Sequence, residues 1–360
     1  MDRNLYNLPK NDPSFFARTE KAVAYHAARC EAYEQLLERA GYTDRTIRSY
    51  DDLYRLPSIP TLFLKNHQMY STNPRMAVFK ATTSGTSGKK SVAALDLGTC
   101  LSALKMVARV MSYYGVISPV PVNYVVLGYQ PNKSNELGVA KTAFGATLLA
   151  PALRRKYAIK FEDGIYTPDI DGTADALFRF SRQPFPVRIF GFPAYLKFLL
   201  DELHARGIRL TLPKNSGIYL AGGWKQFAGE QMSKPELFEY ARDILGVPPQ
   251  RCYDFYGAVE HPILYASCKC NRFHVPIYSR VLVRDAATLE PVPYGTPGLA
   301  SLISPLVKSM PLVSVMTDDL LVMHEHCDCG IPSPCFEILG RASANDLKTC
   351  AASAAELLSK

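Results

Sequence analysis

Between Ala81 and Ser91 the chain reads ATTSGTSGKKS, with hydroxyls at Thr82, Thr83, Ser84, Thr86, Ser87 and Ser91, glycine at Gly85 and Gly88, and charge at Lys89 and Lys90. Glycine lets a backbone turn its N–H groups onto a bound anion, hydroxyls add donors, and lysine offsets negative charge, so this is the composition of a phosphate-cradling loop. It is not a Walker A loop. That motif needs glycine, four residues and then Gly-Lys-Ser/Thr, whereas Gly88-Lys89 is followed by Lys90 and the position five before Gly88 is Thr83. The competing reading is a flexible Ser/Gly linker. Against it, the stretch lies between two apolar segments, Met76–Phe79 and Val92–Leu97.

A second chemistry-bearing group is sulfur-rich. Cys268-Lys269-Cys270 with His274 four residues on, and Cys327-Asp328-Cys329-Gly330 with Cys335, place five thiols in two short stretches. Structural zinc takes four thiolate or imidazole ligands, commonly two from each of two tight turns. His324 and His326 are further candidates, and buried cysteines without a ligand are the alternative. Cys350 stands alone near the end, in LKTCAASAAELLSK. It is either a nucleophile on a mobile tail or a small apolar residue on a short helix.

Elements must hold these residues in place, and 360 residues suffice for one large α/β domain or two closely joined ones. A hydrophobic fraction of 48% excludes intrinsic disorder. No apolar run reaches membrane-spanning length, and the N-terminus MDRNLYNLPKND lacks a signal-peptide core, so a cytoplasmic protein with reduced thiols is expected. The net charge of +8 suits anionic nucleotides but is spread too evenly for a nucleic-acid stripe. Helical periodicity marks Pro13–Gly41 and Leu97–Gly115, the latter with Leu101, Leu104, Val107, Ala108 and Met111 on one face. Strands are expected at Val120–Leu127, Ala146–Ala150, Val187–Phe190, Ser216–Ala221 and Arg251–Phe255. Helices between them at Gly172–Ser181, from Pro193, and at Pro235–Leu245 make a mostly parallel sheet, which binds ligands at the carboxyl ends of its strands. Past Tyr265 the pattern turns to antiparallel or mixed β-structure with many prolines.

Five segments occur in order: TTSGTSGKKS, LAGGWK (Leu220–Lys225), DFYGAVEHP (Asp254–Pro262), VMTDDL (Val315–Leu320) and LGR (Leu339–Arg341). Together they resemble the motifs of the adenylate-forming superfamily of acyl and aryl ligases, and within it the LuxE-type acyl-protein synthetases, which are related to phenylacetate–CoA ligases and coenzyme F390 synthetases. The resemblance implies an α/β fold of the adenylate-forming type, with mixed and parallel sheets covered by helices, a β-rich subdomain, and no full C-terminal mobile domain bearing a catalytic lysine. The expected division is 1–265 for the core, 266–340 for the β-rich subdomain with a zinc clip, and 341–360 for a short tail with Cys350.

By the same resemblance, ATP and Mg²⁺ are the cofactors and a fatty or aromatic carboxylic acid the substrate. Thr83, Ser84, Gly85, Thr86, Ser87, Gly88 and Lys89 would hold the β- and γ-phosphates. Glu260 matches the Mg²⁺-binding glutamate; otherwise it is a solvated surface carboxylate. Gly222 and Gly223 would flank the adenine, with Asp254, Tyr256 and Gly257 also at the nucleotide. Asp319 aligns with the ribose-binding aspartate, although Asp318 replaces the usual glycine and leaves the register open by one residue. Arg341 would reach ribose or phosphate, or form a hinge salt bridge. Zinc ligands in related ligases point to Cys268, His274, Cys327 and Cys329. The acyl group would pass to Cys350 and onward to a reductase or carrier partner, with no nucleic acid and no membrane span involved. The alternatives are a ligase that hands the acyl group to a small thiol or amine, and a non-catalytic nucleotide-binding partner. Phe190, Phe192, Tyr195, Tyr129 and Trp224 are candidates either for a hydrophobic acyl pocket or for the core.

Overall fold

The computed structural model describes residues 4–82, 92–132 and 143–342. Two compact units emerge. One takes the chain up to Val110, Gly257–Tyr265 and the chain from His274 on; the other takes Met111–Tyr256 and Ala266–Phe273.

The first unit opens on helix α1 (Pro13–Ala27), with proline in its first turn and the Asp12 carboxylate accepting from the Phe15 N–H at 3.0 Å. The periodicity from Pro13 to Gly41 suggests one helix, but the chain breaks at Cys30, which is extended, and resumes as α2 (Glu31–Arg39). The break has a packing reason, since it lets Tyr33, Leu36 and Leu37 of α2 enter the same core as Phe15, Phe16 and Val23 of α1. Helix α3 (Tyr50–Arg55) starts on a capping box between Ser49 and Asp52. Strand β1 (Ile59–Pro60) and the single turn α4 (Thr61–Leu64) follow. A hairpin of β2 (Phe79–Thr82) and β3 (Val92–Leu95) precedes α5 (Leu97–Tyr113). Met106, Val110 and Met111 are buried in α5, whereas Leu101 and Leu104 are exposed, so of the expected face the C-terminal part is buried and the leucines are not.

After the strands β10 (His261–Ser267) and β11 (Phe273–His274), the sheet of this unit is built late in the chain. Strands β12 (Arg280–Arg284), β13 (Pro297–Ile303), β14 (Ser314–His324) and β15 (Cys335–Arg341) pair antiparallel in that order, and β1 adds to β14 in parallel. Arg280 of β12 is fully buried, its guanidinium 2.6 Å from Asp12 and 4.0 Å over the Phe15 ring. Removing one partner of a buried pair leaves the other charge desolvated and alone. Asp12→Ala also loses the cap of α1. It is therefore expected to cost about 3–5 kcal/mol in denaturant unfolding, and a loss under about 1 kcal/mol would show that the pair behaves as a surface one.

The second unit is a sheet in the order β9 (Cys252–Ala258), β8 (Gly217–Ala221), β7 (Val187–Gly191), β4 (Val122–Tyr129), β5 (Ala152–Glu162) and β6 (Ile165–Pro168). All pairings here are parallel except β5 with β6. β4 is buried almost throughout, as a central parallel strand covered on both faces must be. The helices α6 (Ile170–Ser181), α7 (Pro193–Ala205) and α8 (Lys234–Leu245) supply the covering leucines, among them Leu177, Leu196, Leu199, Leu203, Leu237 and Leu245. The apolar run Ala146–Ala150 is turn rather than strand, and β5 starts only at Ala152. Among the described residues no helix is long and apolar enough to cross a membrane.

Candidate active site and metal centre

In the second unit, β7 lies parallel between β4 and β8, and the carboxyl ends of β7 and β8 lead into glycines. Gly222 ends β8 at φ +80, and a Cβ there would meet the Phe192 ring at 3.2 Å, so the position needs glycine. Gly223 follows with no heavy atom within 4 Å of where its Cβ would sit, leaving a backbone that a flat ring can approach. Phe190 is buried and stacks on Tyr219 at 4.7 Å, while Phe192, Tyr195 and Phe227 form a run of tilted and edge-on rings beside the glycines.

Strand β9 sorts its side chains by parity. Tyr253 and Phe255 stack with Tyr219, at 5.9 and 6.5 Å. Asp254 and Tyr256 meet other partners: Asp254 lies 2.7 Å from the Lys234 ammonium, and Tyr256 tilts against Phe273 at 6.0 Å. Burial pushes the Asp254 carboxyl above the ordinary carboxylate range, and the Lys234 ammonium opposes the rise. Neither Lys234 nor Phe273 stands out in the sequence.

In the first unit, Gly257 lets the chain pass close to its hairpin mate, since a Cβ would sit 3.0 Å from the Ile263 carbonyl. Glu260 is only 5% exposed and so is not a solvated surface carboxylate. His261 beside it is fully buried; its Nε2 pairs with the Tyr265 hydroxyl at 2.8 Å, and burial drives its imidazole down to about 3. The register of β14 and β15 sets Asp319 opposite Arg341, with an irregularity just after Leu320. Arg341 is exposed and faces two carboxylates, Asp318 and Asp319, each at 3.7 Å. Both aspartates thus point to one guanidinium, too far for a tight bond, in an arrangement that a diol or phosphate can enter. Thr83, Ser84, Gly85, Thr86, Ser87, Gly88, Lys89 and Cys350 lie outside the described residues.

The sulfur cluster has definite geometry. The ligand atoms of Cys268, His274, Cys327 and Cys329 all lie within 4.8 Å of one another. A tetrahedral zinc with Zn–S bonds of about 2.3 Å separates its ligands by slightly under about 4 Å, so three sulfurs and one nitrogen at this spacing fit that ion. Each cysteine turn is shaped for thiolate. The Cys270 N–H donates to the Cys268 sulfur at 3.3 Å, and the Ile331 N–H to the Cys329 sulfur at 3.4 Å. Asn271 and Gly330 take the positive φ values, 58 and 87, that these tight turns demand. Ser333 accepts from His274 Nδ1 through its carbonyl at 3.2 Å, which fixes the proton there and turns the Nε2 lone pair toward Cys329 at 3.2 Å. Cys335 is buried with its thiol toward the His326 carbonyl, and Cys270 is exposed, so neither belongs to the group.

The family model for acyl-protein synthetase, LuxE, matches residues 9–359. The chain belongs to the LuxE acyl-protein synthetase family. A long-chain-fatty-acid–luciferin-component ligase from Vibrio harveyi is 25% identical over 92% of this chain and 85% of its own. A phenylacetate–coenzyme A ligase from Thermus thermophilus is 24% identical over 87% of this chain and 66% of its own. Among solved structures, a 2-hydroxyisobutyryl-CoA ligase in complex with 2-HIB-AMP superposes with a TM-score of 0.67 at 15% identity, covering 95% of this chain and 73% of that one. The fold is therefore that of the adenylate-forming ligases, and as a LuxE family member the chain is an enzyme of the ligase class.

Proposed function

We propose that this LuxE family enzyme uses ATP to convert a carboxylic acid into an acyl-adenylate and then transfers the acyl group to a thiol, that of Cys350. The observation that carries this reading is the family match across nearly the whole chain. In the first step a carboxylate oxygen attacks the α-phosphorus and pyrophosphate leaves; in the second a thiolate attacks the acyl carbon and AMP leaves. Two anions must meet in the first step, so the site has to supply positive charge and donors where charge develops. Thr83–Gly88 and Lys89 supply them to the β- and γ-phosphates. Glu260, a buried hard-oxygen donor, suits Mg²⁺, which supplies charge neutralisation when bound. Gly222, Gly223, Asp254, Tyr256 and Gly257 hold the base, while Asp319 and Arg341 hold ribose and phosphate. A reductase or carrier is the onward partner, in keeping with the luciferin-component ligase among the relatives.

ATP–pyrophosphate exchange against a panel of fatty and aromatic acids tests the first step. At least one acid is expected to support exchange, and Glu260→Gln to lower it by about 10²-fold or more. A panel with no active acid would sink the reading. Intact mass after incubation with ATP and the active acid tests the second step, since Cys350→Ser is expected to lose the acyl adduct. Equal labelling of both proteins would rule Cys350 out as the acceptor, and no adduct on either would favour a small-thiol acceptor, the reading supported by the phenylacetate–coenzyme A ligase relative.

A further inference from the structure

Lys234 has no place in the scheme above, yet its contacts are specific. It is the first residue of α8, set by the Ser233 capping box, and its stem reaches β9. Its ammonium lies 2.7 Å from Asp254 and 4.1 Å over the face of Phe273. Tyr256, two residues along from Asp254, tilts against that same Phe273 ring. Lys234, Asp254, Phe273 and Tyr256 are thus one cluster, assembled from α8, β9 and the segment before His274. The Asp254 N–H is held as well, donating to Ser267 Oγ at 2.8 Å, so the strand that carries the carboxylate is fixed at that residue. The Lys234 side chain is 35% exposed and that of Asp254 13%, and an ion pair that is only partly withdrawn from water stabilises a fold little. The arrangement therefore invites a role for the charge itself.

We infer that Lys234 is a positioning residue for nucleotide selectivity: by pairing with Asp254 it keeps a carboxylate, an acceptor-only group, facing the 6-position of the purine. This rests on the placement of Asp254 and Tyr256 at the base under the proposed function. Adenine carries an amine at position 6 and donates to such an acceptor; hypoxanthine and guanine carry an oxo group, which two lone-pair-bearing oxygens repel. Without the ammonium nothing in this pair opposes the upward push of burial on the Asp254 carboxyl, which favours the neutral acid, whose O–H donates to an oxo group. Lys234 then decides which purine the site prefers without touching the purine.

The test is binding of ATP and of inosine triphosphate, which differ at position 6, to the full-length protein by titration calorimetry. The native protein is expected to prefer ATP by roughly 10- to 100-fold, the range of a hydrogen bond to a charged group. In Lys234→Met the ratio is expected to fall to within about threefold, and Lys234→Arg to restore most of it. A purely structural role would weaken both nucleotides alike and leave the ratio unchanged, which would overturn the inference. If Lys234→Met does not fold, Asp254→Asn decides: its amide can turn either its oxygen or its NH₂ to the base, so a native-like ratio there overturns the inference and a collapsed ratio upholds it. Failure of the native protein to bind either nucleotide would overturn the proposed function, and this inference with it; binding without discrimination would overturn the inference alone.

Discussion

Purified without chelator, the protein is expected to carry about one equivalent of zinc, and stripping it should lower the unfolding midpoint by on the order of 10 °C. The expectation follows from four ligand atoms within 4.8 Å, amide donors aimed at two of the sulfurs, and a histidine tautomer fixed by Ser333. Structural zinc binds small domains with about 10–16 kcal/mol, most of it available only to the folded chain, so its loss outweighs that of any single side-chain contact. The consequence reaches Asp319 and Arg341 through one hairpin. Cys327 and Cys329 sit in the connection between β14 and β15, and the register of these strands sets Asp319 opposite Arg341 at their other end. Cys329→Ser should therefore lose both metal and stability, whereas Cys270→Ser should keep its zinc, because the exposed Cys270 lies outside the ligand group. Elemental analysis with a thermal melt reads both. Zinc below about 0.2 equivalents, with a melt indifferent to chelator, would be incompatible with a site of this kind.

How much of this could be read from sequence depended on whether the signal was local. Val187–Phe190 and Ser216–Ala221 are short β-branched runs that end at glycine, and they fold as β7 and β8 because a central parallel strand needs only that. β5 was less legible. Its sequence ALRRKYAIKFE serves a strand near the sheet edge, with a charged and half-exposed pattern, while the apolar ATLLA before it forms a turn. Leu101 and Leu104 mislead in the same way, as leucines on the outward side of α5. The cysteine turns announce themselves, since Cys-x-Cys beside Asn271 or Gly330 is a local motif with its own backbone requirement. Lys234 could not be found so. A lysine in the first turn of a helix is commonplace, and only the fold brings it to a carboxylate twenty positions later. The same holds for Asp318: sequence leaves open whether it or Asp319 is the relevant acid, and in the structure both face Arg341.

Acid should unfold this protein early, beginning below about pH 6.5, because two histidines are buried in neutral form. His26 Nε2 must carry the proton, since its partner at 3.1 Å is the Val307 carbonyl, which only accepts; Nδ1 then accepts from the Ser71 hydroxyl at 2.7 Å. Burial, with Arg29 nearby, lowers its imidazole to about 4, and burial alone lowers that of His261 to about 3. The sign follows from linkage. In the unfolded chain both histidines titrate near their ordinary value, so below it the unfolded state binds protons that the fold refuses, and stability falls with pH. Above about pH 6.5 neither state is charged and nothing is lost. Between there and pH 4 the two together cost about 2.7 kcal/mol per pH unit, or about 6 kcal/mol by pH 4, comparable to the whole stability of many proteins. Urea unfolding at pH 7, 6 and 5 measures the slope. His26→Gln keeps a hydrogen-bonding group without the charge and should halve it to about 1.4 kcal/mol per unit, and adding His261→Phe should flatten most of the remainder. Since His274 is the same in all these proteins, any acid-driven metal loss cancels in the comparison. A double variant as steep as the native protein would place the acid sensitivity elsewhere.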